Sequence, residues 1–122
     1  MTLPSNPLDY SGKTILVTGG GVGIGRGIAE AFANAGATLI IAEIDAERAA
    51  DVQAALPDAH VVVCDVLDRA TPALLVETVK AVSGKLDVLV NNVGHFVHAL
   101  PFDMLGGDQI DEILDVNIGQ LL

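Results

Sequence analysis

The sequence predicts an α/β fold in which a parallel sheet is covered by helices on both faces. Short apolar runs rich in β-branched residues alternate with segments of helical periodicity along the 122 residues. Strands that alternate with helices form parallel sheets with right-handed crossovers, because each helix carries the chain back to the start of the next strand. A glycine-rich turn joins the first run, Lys13–Thr18, directly to the first helical pattern, and this junction is the most informative feature of the chain.

The predicted elements follow in the order βαβαβαβα. The predicted strands are Lys13–Thr18, Thr38–Ala42, His60–Cys64 and Leu86–Val90. The predicted helices are Gly23–Ala35, a segment capped by Asp45 and closed by Pro57, a segment capped by Thr71 with Pro72 at its first helical position, and Asp108–Val116. The run Thr38–Ala42 is almost continuously apolar, which is typical of a strand covered on both faces. Without a linker or an internal repeat, we expect residues 1–122 to form one domain.

Composition restricts the classes of function. The chain carries 16 acidic and 6 basic residues, a formal net charge of -10, which argues against a general nucleic-acid binder or an anionic-membrane binder. No stretch approaches the ~18 apolar residues that span a membrane, and the first residues lack the segments of a signal peptide. The single cysteine, Cys64, follows an apolar run and is interpreted as a small core residue. A reducing, cytoplasmic location is therefore expected.

The glycines at positions 19, 23 and 25 lie between a predicted strand and a predicted helix. There, backbone N–H groups and the positive end of the helix dipole can face a phosphate without help from Lys or Arg. Three nearby glycines can equally form a purely structural turn. Glu43 favours the functional interpretation, because it lies at the end of the next predicted strand, directly after Ala42 and 18 residues after Gly25. An acidic residue at roughly that spacing, about 20 residues, binds the adenosine ribose in Rossmann-type dinucleotide folds.

Four motifs follow one another along the chain, namely Thr18-Gly19-x-x-x-Gly23-x-Gly25, Cys64-Asp65-Val66, Asn91-Asn92-Val93-Gly94 and Val116-Asn117. In this order they resemble the motifs of the short-chain dehydrogenase/reductase family. The resemblance extends from Leu8 onward. It implies a partial Rossmann-type, doubly wound parallel sheet that contains the first four strands. It also implies an oxidoreductase that transfers a hydride between NAD(H) and a small-molecule carbonyl or alcohol substrate.

The resemblance further implies which residues form the site. The glycine loop would admit the pyrophosphate, Glu43 would hold the adenosine ribose, and Asn117 would belong to the catalytic tetrad. The implied cofactor-binding residues are Gly19, Gly21, Val22, Gly23, Ile24, Gly25, Glu43, Ile44, Asp65, Val66, Asn92, Val93 and Gly94. Without the resemblance, Asp65 is compatible with a solvated loop carboxylate and Asn117 with a polar helix residue that faces solvent.

NAD is expected as the cofactor, with NADP the less favoured alternative. Glu43 would repel a 2′-phosphate, and Val22 occupies a loop position where phosphate-preferring members of the resembled family often carry Arg or Lys. No metal site is expected. His95 and His98 lack the Cys or carboxylate pattern of a zinc site nearby, and they are interpreted as rim residues of a substrate cleft.

The chain departs from the resembled family in its proton-transfer residues. The family's Tyr-x-x-x-Lys pair has no counterpart, since the single tyrosine is Tyr10 and no lysine follows Lys85. The chain is therefore expected to be a cofactor-binding half, truncated before the catalytic Ser, Tyr and Lys and inactive alone. The alternatives are a truncated, non-catalytic module that binds a nucleotide or dimerises, and the surviving part of a longer protein. In the strand order that the resemblance implies, the strand Leu86–Val90 would form an open edge of the sheet without a protecting Lys or Pro, which predicts a homo-oligomer.

Overall fold

The computed structural model describes residues 7–94 and 100–117, and its centre is a parallel sheet. The strands are β1 (Thr14–Thr18), β2 (Thr38–Glu43), β3 (His60–Val63) and β4 (Val88–Val90). The helices are α1 (Gly23–Asn34), α2 (Ala46–Ala55), α3 (Thr71–Val82) and α4 (Gly107–Asn117), and a 3-10 helix spans Phe102–Met104. The predicted fold class, α/β with a partial Rossmann-like sheet, is confirmed.

The strand order is β3-β2-β1-β4. β1 pairs in parallel with β2 on one side, where Leu16 lies opposite Ile40, and with β4 on the other, where Leu16 lies opposite Leu89. The chain thus moves outward from β1 to β3 and then returns to the free side of β1. Such a reversal opens a crevice at the carboxyl ends of the central strands, which is where open α/β sheets bind ligands.

β1 is buried along its whole length because helices cover both faces of the sheet. Successive side chains of a strand point to opposite faces. Ile15 and Val17 join a cluster of buried residues under α1 and α2. Leu16 joins the cluster on the opposite face, where it packs with Val79 of α3. This two-sided burial explains why the strand sequence is almost continuously apolar.

The helices are short and differ in how far they are buried. α1 and α3 have 12 residues each, α2 has 10, and α4 has 11 and buries no residue completely. Among residues 7–94 and 100–117, no helix combines the length and the apolar character needed to cross a membrane. α4 therefore differs from the other three, each of which has two buried residues.

The two predicted helix caps have different outcomes. Asp45 caps α2 as predicted. Its side chain accepts hydrogen bonds from the backbone N–H groups of Glu47 at 2.9 Å and Arg48 at 3.0 Å. The prediction that Thr71 caps α3 is wrong. Ala70 is the cap residue, and Thr71 is the first residue of the helix, with a buried hydroxyl that donates to the carbonyl of Asp65. Thr71 therefore joins the start of α3 to the loop that follows β3.

β4 is shorter than predicted, because Leu86 and Asp87 lie before it. The N–H of Asp87 donates to the carbonyl of Thr14 at 2.9 Å, as a ladder bond would. The N–H of Thr14, however, donates to the carboxylate of Asp87 at 2.8 Å, and Lys85 forms an ion pair with the same carboxylate at 3.1 Å. A side chain thus takes the place of a backbone acceptor where β4 approaches β1.

These contacts make stability depend on the charge of Asp87. The N–H of Thr14, followed by Lys85, holds the pKa of Asp87 below its ordinary value. Because the pKa is lower in the folded chain, the contribution is fully present above the unfolded pKa of about 3.9 and is lost as pH falls through the folded pKa. We expect Asp87→Asn to flatten the fall of the free energy of unfolding below about pH 4, measured by urea denaturation across pH.

The matched control for this experiment is Asp51→Asn, which removes an exposed carboxylate of α2. The control should keep the pH dependence of the wild-type protein. An Asp87→Asn variant with the wild-type pH dependence would show that this carboxylate does not couple folding to protonation.

Candidate dinucleotide-binding site

The turn between β1 and α1 lies at the carboxyl end of β1, beside the crevice. Gly19 and Gly23 have φ angles of 65° and 61°, a left-handed backbone that residues with a Cβ rarely adopt. The N–H of Gly19 donates to the carbonyl of Ala42 at 2.7 Å, which ties the turn to the end of β2. Val22, Gly23 and Ile24 are exposed, so the second half of the turn presents its backbone to solvent.

The first turn of α1 has the features of an anion-binding helix start. Val22 precedes the helix and provides no side-chain cap, and the first turn carries no acidic residue. The first N–H groups of any helix lack a carbonyl partner within that helix. No side chain caps them in α1, and the helix dipole adds to their attraction for a phosphate.

Gly25 allows α1 to approach both β1 and the loop after β4. A Cβ at position 25 would collide with the carbonyl oxygen of Gly19 and with the side-chain nitrogen of Asn92. That nitrogen donates to the same carbonyl oxygen at 3.2 Å. The glycine is therefore required by close packing, as dinucleotide folds require between helix and strand. This tight packing, together with the uncapped helix start, fits a dinucleotide pyrophosphate.

Glu43 ends β2 with a buried carboxylate, and the residue is only 3% exposed. One carboxylate oxygen accepts the N–H of Gly21 at 3.0 Å, and the other accepts the N–H of Asp45 at 3.2 Å. A carboxylate offers about four lone-pair positions, so about two remain for further donors. Two vicinal hydroxyl groups, such as those of a ribose, are donors of the kind that this carboxylate can still accept.

A cleft of about 270 Å³ lies where the loops after β1, β2, β3 and β4 meet. Six of the predicted cofactor-binding residues line it, namely Gly19, Glu43, Ile44, Asp65, Val66 and Val93. Apolar side chains dominate the lining, while the acidic groups come from the ends of β2 and β3. An apolar cleft with a few placed polar groups is the usual form of a small-molecule site, and this one suits an adenine base with its ribose.

Asp65, predicted to flank adenine, directs its carboxylate into its own loop. That carboxylate accepts the N–H of Leu67 at 2.9 Å, while the Asp65 carbonyl accepts the Thr71 hydroxyl. Next to it, burial and, to a lesser degree, the charge of Asp65 raise the pKa of the Cys64 thiol. The thiol therefore stays protonated near neutral pH. Cys64 is half-buried and packs against the cluster under α3, so its interpretation as a small core residue holds in part.

Thr18, the last residue of β1, connects the glycine turn to the loop after β4. Its hydroxyl oxygen accepts the N–H of Asn92 at 3.0 Å and that of Val93 at 3.3 Å. Its hydroxyl proton is donated to the carbonyl of Val90 at 3.3 Å. Sequence reasoning placed Thr18 in a motif but not among the site residues. Its position at the end of a buried strand, directly before Gly19, is the signal that identifies it.

The structure brings Gly94 and Asn117 together. A Cβ at position 94 would lie 2.9 Å from the side-chain oxygen of Asn117, whose side-chain nitrogen donates to the carbonyl of Ile113 at 2.9 Å. The end of α4 thus lies beside the loop after β4. His95 and His98 lie outside the described residues. In the part of the chain that is described, no group of three or more His, Cys, Asp or Glu side chains could hold a metal ion.

The sequence of this chain is similar to a known protein family and to several known proteins. A family model described as short chain dehydrogenase matches residues 13–121. L-fucose dehydrogenase of Bos taurus is 41% identical over 87 residues, which cover 70% of this chain and 32% of that protein. Galactitol 2-dehydrogenase of Agrobacterium fabrum is 40% identical over 107 residues, covering 87% of this chain and 41% of that protein. Oxidoreductase UcpA of Escherichia coli K12 is 39% identical over 111 residues, covering 88% and 42%. The chain therefore spans less than half the length of these relatives.

The hydroxyl of Thr18 can be tested directly. Thr18→Val keeps the shape of the side chain but removes the acceptor that the N–H groups of Asn92 and Val93 share. We expect the free energy of unfolding to fall by about 1–3 kcal/mol, the cost of removing a buried hydrogen-bond partner. Urea denaturation measures this change. Thr18→Ser, which keeps the hydroxyl, should recover most of the loss, and a Val variant as stable as the wild-type protein would contradict the role of the hydroxyl.

Proposed function

This chain belongs to the short-chain dehydrogenase family, and we propose that its cleft binds NAD(H) as the cofactor-binding part of an oxidoreductase. Membership of the family implies NAD(P) binding. The observation that supports NAD most directly is the buried carboxylate of Glu43 beside the glycine turn. In this proposal residues 1–122 form one cofactor-binding domain.

The preference for NAD over NADP follows from charge. A 2′-phosphate placed beside the ribose would meet the Glu43 carboxylate at close range, in a site with little water to screen the repulsion. The neighbouring positions carry no positive charge that could compensate, since Ile44 and Asp45 follow and Val22 occupies the glycine loop. A free 2′-hydroxyl instead donates to the carboxylate. The same group therefore attracts one cofactor and repels the other.

Each part of the site has a role in binding. Gly19, Gly23 and the first turn of α1 would receive the pyrophosphate, and Asp65 with Val66 would border the adenine. Bound NAD(H) would supply or accept the hydride. The loop from Asn92 to Gly94 would line the path towards the nicotinamide, where Asn117 lies beside Gly94. The role of Asn117 here is to orient groups at that end of the cleft.

The proposed substrate is a small molecule that carries an alcohol or a carbonyl group. Two of the relatives are named for L-fucose and for galactitol, which agrees with that class. The chain has neither a tyrosine after Tyr10 nor a lysine after Lys85, so the Tyr-x-x-x-Lys pair of the resemblance is missing from these 122 residues. We propose that they bind cofactor but do not turn over substrate alone, in a cytoplasmic setting.

Cofactor titration tests the proposal. The 122-residue protein should bind NAD at least about tenfold more tightly than NADP, since tenfold corresponds to ~1.4 kcal/mol, which is less than a close repulsive charge pair costs. Isothermal titration calorimetry with both cofactors measures the ratio. Glu43→Ala should weaken NAD binding and narrow the difference, whereas the control Asp51→Ala should not. Tighter binding of NADP by the wild-type protein would refute the proposal.

A second candidate function, self-association, is favoured by β4. Within the described sheet β4 pairs only with β1, and Leu89 is 50% exposed. A groove of about 480 Å³ lies between β4 and α3, with Leu75, Val79 and Leu86 in its apolar lining. Open strand edges flanked by apolar surface favour pairing with another chain. We therefore propose a homo-oligomer in which β4 lies at the contact, although the net charge of -10 opposes it.

The oligomer can be tested with a charge placed on β4. Leu89→Lys should shift the protein towards monomer, because a lysine on an edge strand opposes pairing between chains. Light scattering over a concentration series measures the mass. Leu74→Lys, which changes an exposed leucine of α3 outside the groove lining, is the matched control and should keep the wild-type mass. A wild-type protein that stays monomeric at the highest concentration would refute the proposed contact.

A further inference from the structure

Gly21 is a glycine whose backbone conformation does not require glycine. Unlike Gly19 and Gly23, it has no positive φ angle, so residues with a Cβ could adopt its conformation. It is nevertheless buried in the middle of the turn. The reason for a glycine at this position must therefore lie in the groups that surround it.

The side chain of Glu43 occupies the space that a Cβ at position 21 would need. Such a Cβ would collide with a carboxylate oxygen of Glu43, and it would lie 2.8 Å from Cγ and 2.9 Å from Cδ of the same side chain. Carbon atoms in contact normally stay about 3.5–4.0 Å apart. The preceding glycine has a different neighbour, since a Cβ on Gly20 would meet the side chain of Ile41 in the core at 2.7 Å.

Gly21 also donates to the side chain for which it leaves room. Its N–H binds one carboxylate oxygen of Glu43 at 3.0 Å, while the N–H of Asp45 binds the other at 3.2 Å. A buried carboxylate is costly unless donors compensate it, so these two bonds hold the group in one orientation. A Cβ at position 21 would force the carboxylate to turn, which would break the bond to position 21 and move both oxygens.

The geometry points to Gly21 as a positioning residue for ribose recognition, which holds the Glu43 carboxylate in the orientation that prefers NAD to NADP. This inference rests on the proposed function of the cleft. It differs from the usual reason for glycine in such a loop, which is the close approach of the pyrophosphate to the backbone. At position 21 the group that needs the space is a side chain of the protein itself.

A double-mutant cycle distinguishes the two possible reasons for glycine at position 21, which are space for the Glu43 side chain and close approach of the pyrophosphate. The variants are Gly21→Ala, Glu43→Ala and the double variant, all made in the 122-residue protein. Gly27→Ala is the matched control, because it adds the same methyl group in α1 where nothing lies within 4 Å. Calorimetric titration gives the dissociation constants for NAD and NADP, and thermal unfolding without cofactor gives the midpoint temperature. Glu43→Ser provides a second short side chain if the Ala background does not fold.

If Gly21 acts through Glu43, Gly21→Ala weakens NAD binding about tenfold, the effect of losing a ~1.4 kcal/mol contact, and reduces the NAD/NADP preference. The same change on the Glu43→Ala background then alters NAD affinity less than about twofold, because the side chain through which position 21 acts is already absent and the two substitutions are therefore non-additive. Without cofactor, Gly21→Ala lowers the midpoint by about 4 °C or more in the wild-type background but not in the Glu43→Ala background. The control Gly27→Ala neither weakens NAD binding, nor reduces the NAD/NADP preference, nor lowers the midpoint temperature.

Two outcomes would overturn the inference. An equal loss of NAD affinity in both backgrounds would show that position 21 contacts the cofactor directly. An unchanged affinity and midpoint for Gly21→Ala would show that Glu43 tolerates a Cβ there. If the wild-type protein binds neither cofactor, the proposed function fails, whereas the thermal unfolding data still decide whether Gly21 and Glu43 are coupled.

Discussion

The parallel pairing of β1 with strands on both of its sides is the constraint on which the candidate site depends. Because β2 and β4 run parallel to β1, the carboxyl ends of all three strands meet at one edge of the sheet. The glycine turn, Glu43 and the loop that contains Asn92 follow these three ends. The hydroxyl of Thr18 then fixes the last of these loops against the first. The cleft is thus a consequence of the strand order β3-β2-β1-β4.

The electrostatics of the site are local and differ from the charge of the whole chain. A net charge of -10 would repel a phosphate at long range, but salt screens such repulsion beyond ~8 Å. At the turn, backbone N–H groups and a helix dipole can supply attraction without any cationic side chain. Glu43, which is buried, lines the cleft at the end of β2 and does not lie at the helix start. An acidic protein can therefore combine the proposed phosphate site at the turn with the proposed ribose acceptor at the end of the neighbouring strand β2.

The order and type of the elements could be predicted from sequence because they depend on periodicity and on local turn chemistry, as at Asp45. Thr71 was predicted incorrectly because capping rules consider only the neighbouring residues, whereas its hydroxyl is bound to Asp65 across a loop. The start of β4 was missed for a similar reason, since Asp87 replaces a backbone acceptor through a contact with β1. The glycine turn and Glu43 could be identified from their spacing, whereas the other candidate site residues came from the resemblance to a family; the roles of Glu43 and Asn117 remain proposals.

The glycines of the turn illustrate why a spacing pattern hides different physical constraints. Gly19 is needed for its backbone conformation, with a φ of 65°, so any Cβ there is strained. Gly25 is needed because the backbone carbonyl of Gly19 lies against it, and a backbone group cannot move aside as a side chain can. Gly21 instead faces the far part of a flexible side chain. Glycine is therefore required at position 21 only while the side chain at position 43 is long enough to fill that space. Positions 21 and 43 thus form a pair rather than two independent sites.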